Sequence, residues 1–203
     1  MALSAANTNR YDNMVMYQTP SFSGFQFGVG YSFNVNDTNA AQTGFKTADN
    51  TRAITTGLRY VNGPLNAALT YDQLNASNKL AGASTDATPR QYAIGGSYDF
   101  EVVKLALAYA RTTDGWFAGQ GVDTNLGSIN FGANSFADGF KANSYLVGLS
   151  APIGGASSLF GSWQRVDPSN DKLTGGDATT NVYSLGYTCL LYTSPSPRDR
   201  QKS

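Results

Sequence analysis

Gly24 to Phe33 reads GFQFGVGYSF, with Phe25, Phe27, Val29, Tyr31 and Phe33 at odd positions and Gln26, Gly28, Gly30 and Ser32 between them. Unbroken alternation is the period of a β-strand, here with one large apolar face and one small polar face. A strand of a soluble sandwich would bury its apolar side chains and turn Lys, Glu or Thr to water. The second face here is nearly bare. Aromatic side chains opposite Gly, Ser and Gln suit a barrel wall with lipid outside and water inside. Ten residues at about 3.3 Å each, tilted by about 45°, rise roughly 23 Å, close to the apolar band of such a barrel.

Composition points the same way. The 203 residues are 41% hydrophobic, with a mean hydropathy of −0.29. They contain no run of eighteen apolar residues that could cross a membrane as a helix, whereas a barrel spans by alternation and satisfies its backbone by closure. Gly, Tyr and Phe number 22, 12 and 11, while Glu101 is the single glutamate, so strand and turn formers outweigh helix formers. The class expected is all-β. A net charge of zero, with no local Lys/Arg cluster, gives no footprint for nucleic acid.

The ends differ from the middle. MALSAANTNR has neither the charged start nor the apolar core of a secretory signal, so the chain reads as an interior piece. From Cys189 the sequence runs CLLYTSPSPRDRQKS, with the only Cys, Pro195, Pro197 and a basic end, and it does not alternate. Cys189 to Asp199 resembles an in-frame translation of a sequencing adapter, so 189–203 is expected to be a non-native, disordered tail and 1–9 a flexible N-terminal segment. Without Arg198, Asp199, Arg200 and Lys202, the 14 basic and 14 acidic residues become 11 and 13, and the remainder is mildly acidic.

Between the ends the chain is an up-and-down meander. Strands are expected over Arg10 to Thr19, Gly24 to Phe33, Thr51 to Val61, Leu65 to Leu74, Gln91 to Phe100, Val103 to Thr112, Asn143 to Pro152, Leu159 to Asp167 and Asn181 to Thr188. Apolar side chains such as Val15, Tyr17, Leu58, Leu69, Ile94, Leu107 and Val147 share one face. Over Leu159 to Asp167 the parity is ambiguous, with Leu159 and Trp163 outward slightly favoured over Phe160 and Val166. Connections alternate short and long, the longest following Thr112, as in membrane barrels with tight turns on one side and long loops on the other. Tyr17, Phe33, Tyr60, Tyr71, Phe100 and Tyr109 lie near strand ends, where rings meet headgroups. By parity Arg59, Asp72, Asp99 and Lys104 point inward, as does Asp12 near the start.

Reactive chemistry is thin. No His is present and Cys189 stands alone, which excludes His-based triads and thiolate metal cages, and no glycine-rich piece ends in the GK[ST] of a phosphate loop. Asp167, Asn170, Asp171 and Asp177 could meet a cation in one loop, though their spacing is not that of an EF-hand. No cofactor, catalytic residue or metal is expected. An adhesive or solute-specific barrel remains an alternative, marked by an aromatic ladder in the lumen; so does a soluble all-β binding module.

Two motifs carry a family resemblance. Arg10-Tyr11-Asp12-Asn13-Met14-Val15-Met16-Tyr17, followed by Pro20 and Gly24-Phe25, resembles the strand after the constriction loop in trimeric general diffusion porins of Gram-negative outer membranes. Tyr183 to Thr188, YSLGYT, is similar to a late strand of that family. The resemblance covers Arg10 to Thr188. It implies about nine strands of a sixteen-stranded barrel, with five strands and the constriction loop before Arg10 and two strands after Thr188. It also implies a homotrimer in outer-membrane lipid, passing small hydrophilic solutes and ions passively through a pore pinched between an acidic loop and a basic wall. Arg10 matches the position expected on or near that wall. Asp12, Arg59, Asp72, Asp99 and Lys104 then either tune selectivity or are ordinary wetted lumen charges.

Overall fold

The computed structural model describes residues 11–35, 52–75, 88–114, 141–153, 157–168 and 179–189, and the strand backbone at 125–126 and 129–130. In chain order the strands are β1 Met14–Gln18, β2 Phe25–Ser32, β3 Arg52–Asn62, β4 Leu65–Asn75, β5 Arg90–Asp99, β6 Lys104–Thr113, β7 Asn125–Leu126, β8 Ile129–Asn130, β9 Lys141–Pro152, β10 Ser157–Pro168 and β11 Thr180–Cys189. Nine of them form one antiparallel sheet in the order β1-β2-β3-β4-β5-β6-β9-β10-β11, and β7 pairs only with β8. Strand order following chain order is what short hairpin turns impose on an antiparallel meander. β1 and β11 each pair on one side only, so the sheet does not close. No helix occurs among the described residues.

Register carries the alternation of each strand into two continuous faces. Phe27, Leu58, Leu69, Ile94, Tyr109, Tyr145 and Arg165 are partners in successive strands, as on the opposite face are Gly28, Gly57, Thr70, Ala93, Ala110, Ser144 and Val166. The first face, here the outer one, exposes Leu69, Ile94, Leu107, Leu149, Tyr183 and Leu185. No second layer covers this contiguous apolar surface among the described residues. On the inner face Ser32, Ala53, Leu74, Gln91, Ala110, Thr112, Ala142 and Ser144 are buried. All eight lie towards the long connections, so what burial the sheet achieves is concentrated at that end of the inner face.

The turns explain the tight ends. Between β1 and β2, Phe22 and Phe25 exchange both backbone hydrogen bonds at 2.8 Å, and Ser23 and Gly24 both have positive φ, at 48° and 85°. Two consecutive left-handed residues make a turn whose twist matches that of the strands it joins. The Gly24 carbonyl also accepts the Val61 N–H at 2.8 Å, tying the turn to β3.

Some expectations change. β1 begins at Met14, not Arg10: Asn13 has φ of 51°, which breaks the extended run, and Tyr11 to Asn13 instead fasten to the end of β2. There the Ser32 hydroxyl donates to the Asp12 carbonyl at 2.6 Å, and the Phe33 N–H donates to the Asn13 carbonyl. β11 continues through Cys189, which pairs with Ser157. The β7/β8 pair falls in the long connection after β6 and was not anticipated, because two-residue strands are too short to alternate. In β10 the register settles the parity, with Leu159 opposite Ala151 and Tyr187, and Trp163 opposite Val147 and Tyr183, all on the outer face.

Candidate functional site

The inner face is a wall of small side chains. Gly28, Gly57, Ala68, Ala93, Gly95, Ala106, Ala108 and Gly148 occupy its middle, flanked by Thr, Ser and Asn. Among the described strands Phe160 is its only aromatic residue, and its ring lies over Gly186 in β11. Such a wall leaves its width to water and offers no ladder of rings on which a sugar could stack.

Four of the residues picked out as inward, Arg59, Asp72, Asp99 and Lys104, are on this face by register. They form two groups at opposite ends. Asp99 and Lys104 are direct partners next to the β5–β6 turn, where Asp99 Oδ1 also accepts the Glu101 N–H at 2.9 Å. Arg59, likewise near a short turn, donates from Nε to Asn66 Oδ1 at 3.5 Å. All three are exposed. Asp72 is towards the other end, half-buried, hydrogen-bonded by Thr55 and paired with buried Gln91. Thr55 to Arg59 is about 13 Å along β3, and Gln91 to Asp99 about 26 Å along β5. The candidates therefore do not converge on one point.

Asp12 belongs to the bend before β1, half-buried, with its N–H donating to the Val35 carbonyl at 3.3 Å. Arg10 lies outside the described residues. Sequence reading passed over Tyr11, which is half-buried in the same bend. Burial first, and the Asp72 carboxylate second, push its phenol up from the ordinary range. Tyr11 therefore sits near Asp72 of β4, although β2 and β3 separate β1 from β4 in the sheet. No spacing rule along the chain would pair the two.

The outer face has two aromatic bands. Towards the long connections Tyr71 and Tyr92 have ring centroids 5.0 Å apart, and Tyr109 and Tyr145 are 5.4 Å apart. Towards the short turns Phe25 and Tyr60 are 4.4 Å apart, and Tyr98 and Phe100 are 4.6 Å apart. Two belts bordering an apolar zone are the pattern of a barrel wall between two headgroup layers. The acidic loop proposed as a cation holder lies largely outside the described residues; Asp167 itself accepts from the Thr179 hydroxyl at 3.1 Å.

A family model described as Gram-negative porin matches residues 1–189. The chain belongs to that family. An outer membrane porin protein of Bordetella pertussis is 72% identical over 197 residues, covering 93% of this chain and 50% of that protein. Outer membrane porin protein 32 of Delftia acidovorans is 32% identical over 154 residues, covering 75% of this chain and 36% of that protein. The chain thus spans half or less of the curated porins it matches. A solved porin structure superposes with a TM-score of 0.59 at 18% identity, over 87% of this chain and 50% of that one. That likeness shows the porin fold, and the nine-stranded antiparallel meander is its counterpart here. The family match stops at Cys189, where β11 ends.

Proposed function

We propose that the complete protein carrying this sequence is an outer-membrane general diffusion porin that passes small hydrophilic solutes and ions down their gradients, as a homotrimer. The observation that carries this reading is the division of one sheet into an exposed apolar face with two aromatic belts and an opposite face of Gly, Ala, Ser and Thr. Lipid takes the first and water the second. A closed barrel of about sixteen strands leaves an aqueous lumen, so transport needs no bound intermediate and no energy source. The inward charges, Asp12, Arg59, Asp72, Asp99 and Lys104, together with Arg10, bias which ions pass. The spread of these charges along the wall favours a graded field over a single binding site, and the near absence of aromatic residues on the inner face of the described strands argues against a sugar-specific barrel.

Liposome swelling tests the reading. The complete protein in vesicles should admit small neutral sugars at rates that fall smoothly with solute size. Admission of one sugar and exclusion of others of equal size would overturn it in favour of a specific channel.

A further inference from the structure

Phe160 carries the one ring on the inner wall of the described strands, and register gives it particular surroundings. Across the sheet at its height the partners run Asp99, Lys104, Ser150, Phe160 and Gly186, on β5, β6, β9, β10 and β11 in turn. Ser158 and Ser162 flank it in β10, and Ser184 stands diagonally from it in β11, all on the same face. The ring is 41% exposed, and it lies on the wall instead of packing into a core. Its Cζ, Cε1 and Cε2 atoms occupy the place that a Cβ on Gly186 would take. Glycine at 186 is thus what lets the ring lie over β11, open on its lumen side. Lys104, two strands away across the row and so at about 10 Å, is exposed as well. Its register partner Asp99 is engaged with the turn, accepting the Glu101 N–H at 2.9 Å. No ion pair or side-chain hydrogen bond of Lys104 occurs among the described residues, which leaves its ammonium available on the side of Ser150 and Phe160.

We infer that this row is a weak docking site for aromatic carboxylates passing the short-turn end of the lumen. The inference rests on the reading that the inner face lines a water-filled pore. A ring in contact with water on a wall of Gly, Ala and Ser gains by being covered, and a second ring covers it well in an offset stack. A carboxylate on a short linker then extends towards the Lys104 ammonium, which its flexible stem brings inward. The serine hydroxyls around the ring offer hydrogen bonds to oxygen substituents. A neutral sugar would gain the stack alone and an aliphatic acid the ammonium alone, whereas an aromatic carboxylate uses both. Because ring and cation are both exposed, each contact contributes little, so docking slows passage without closing the pore.

The test uses the complete protein in a planar bilayer, with 3-phenylpropionate as the added solute. It should interrupt the open-channel current reversibly and in proportion to its occupancy. Propionate, which lacks the ring, and 3-phenylpropan-1-ol, which lacks the charge, should need much higher concentrations for the same reduction. Phe160→Ala should raise the half-blocking concentration about tenfold, the upper end of what a stacked pair contributes. Lys104→Met should raise it about threefold, as for an exposed ion pair. Gly186→Ala, which keeps the ring and lifts it from the wall, should raise it too. Val182→Ala, on the inner face about 13 Å along β11 from Gly186, should leave it unchanged. Block by propionate equal to that by 3-phenylpropionate, or an unchanged half-blocking concentration in either Phe160→Ala or Lys104→Met, overturns the inference. The conductance of each variant in plain salt reports that it folds and inserts, and it bears on the porin reading alone.

Discussion

Ala68 and Leu69 are adjacent in β4 and stand in opposite environments. Leu69 lies between Leu58 and Ile94 on the exposed apolar face, and Ala68 between Arg59 and Gly95 on the inner wall. In the complete barrel Leu69→Arg should cost about 2 to 4 kcal/mol if it lies near the midplane, because a charge on the lipid side is poorly solvated there. Ala68→Arg should leave stability nearly unchanged and lower conductance. Urea unfolding of both variants checks this, and equal losses would contradict the assignment of faces. Asp72 supports a second expectation at this scale. Held by Thr55 on the wall and facing Gln91, where Asp99 faces Lys104, it is an inner-face acid with no cation as its strand partner. Asp72→Asn should shift the reversal potential in a salt gradient towards anion preference, and an unchanged potential would make Asp72 a bystander. The facing of both residues was legible in sequence, since parity depends only on an unbroken strand. The nearness of Tyr11 to Asp72 was not, since Tyr11 precedes β1 and two strands separate β1 from β4 in the sheet.

Among elements, the turns were the most legible and the first strand the least. Gly24 and Asn62-Gly63-Pro64 mark short connections because left-handed or proline-fixed backbone is written directly in residue type, whereas the left-handed residue after Phe100 is Glu101, with φ of 70°, which residue type does not announce. β1 came out shorter than its apolar pattern suggests, because Asn13 takes a left-handed conformation that asparagine tolerates and alternation cannot report. Gly24 has φ of 85° and the Val61 carbonyl packed where a Cβ would go. Gly24→Val should therefore destabilise the hairpin by about 1 to 3 kcal/mol, the range of an imposed left-handed strain. Gly28→Val makes the comparison: its Cβ would meet only the Tyr17 carbonyl, at 3.9 Å, and its φ is unexceptional. A lower urea midpoint for Gly24→Val than for Gly28→Val is expected, and the reverse order would contradict the role given to this turn.

At the scale of the molecule, the barrel was legible as a class through lipid-type alternation and through the succession of short and long connections. Closure was not, since strand number and shear belong to the whole ring. In the nine-stranded sheet β1 and β11 each present an unpaired edge, and an odd count of antiparallel strands would bring them together parallel. Open edges expose N–H and C=O groups that lipid cannot satisfy. The 203-residue chain expressed alone should accordingly collect in inclusion bodies and give no current, and a stable channel from it would show that the open edges can be closed without further strands. The most direct measurement is made on the complete protein in a planar bilayer. It should insert in discrete steps, each with a current linear in voltage and a conductance that rises in proportion to bulk salt, as a water-filled lumen requires. A folded, inserted barrel that passes no current, or whose conductance saturates at low salt, would contradict passive diffusion through a wide pore.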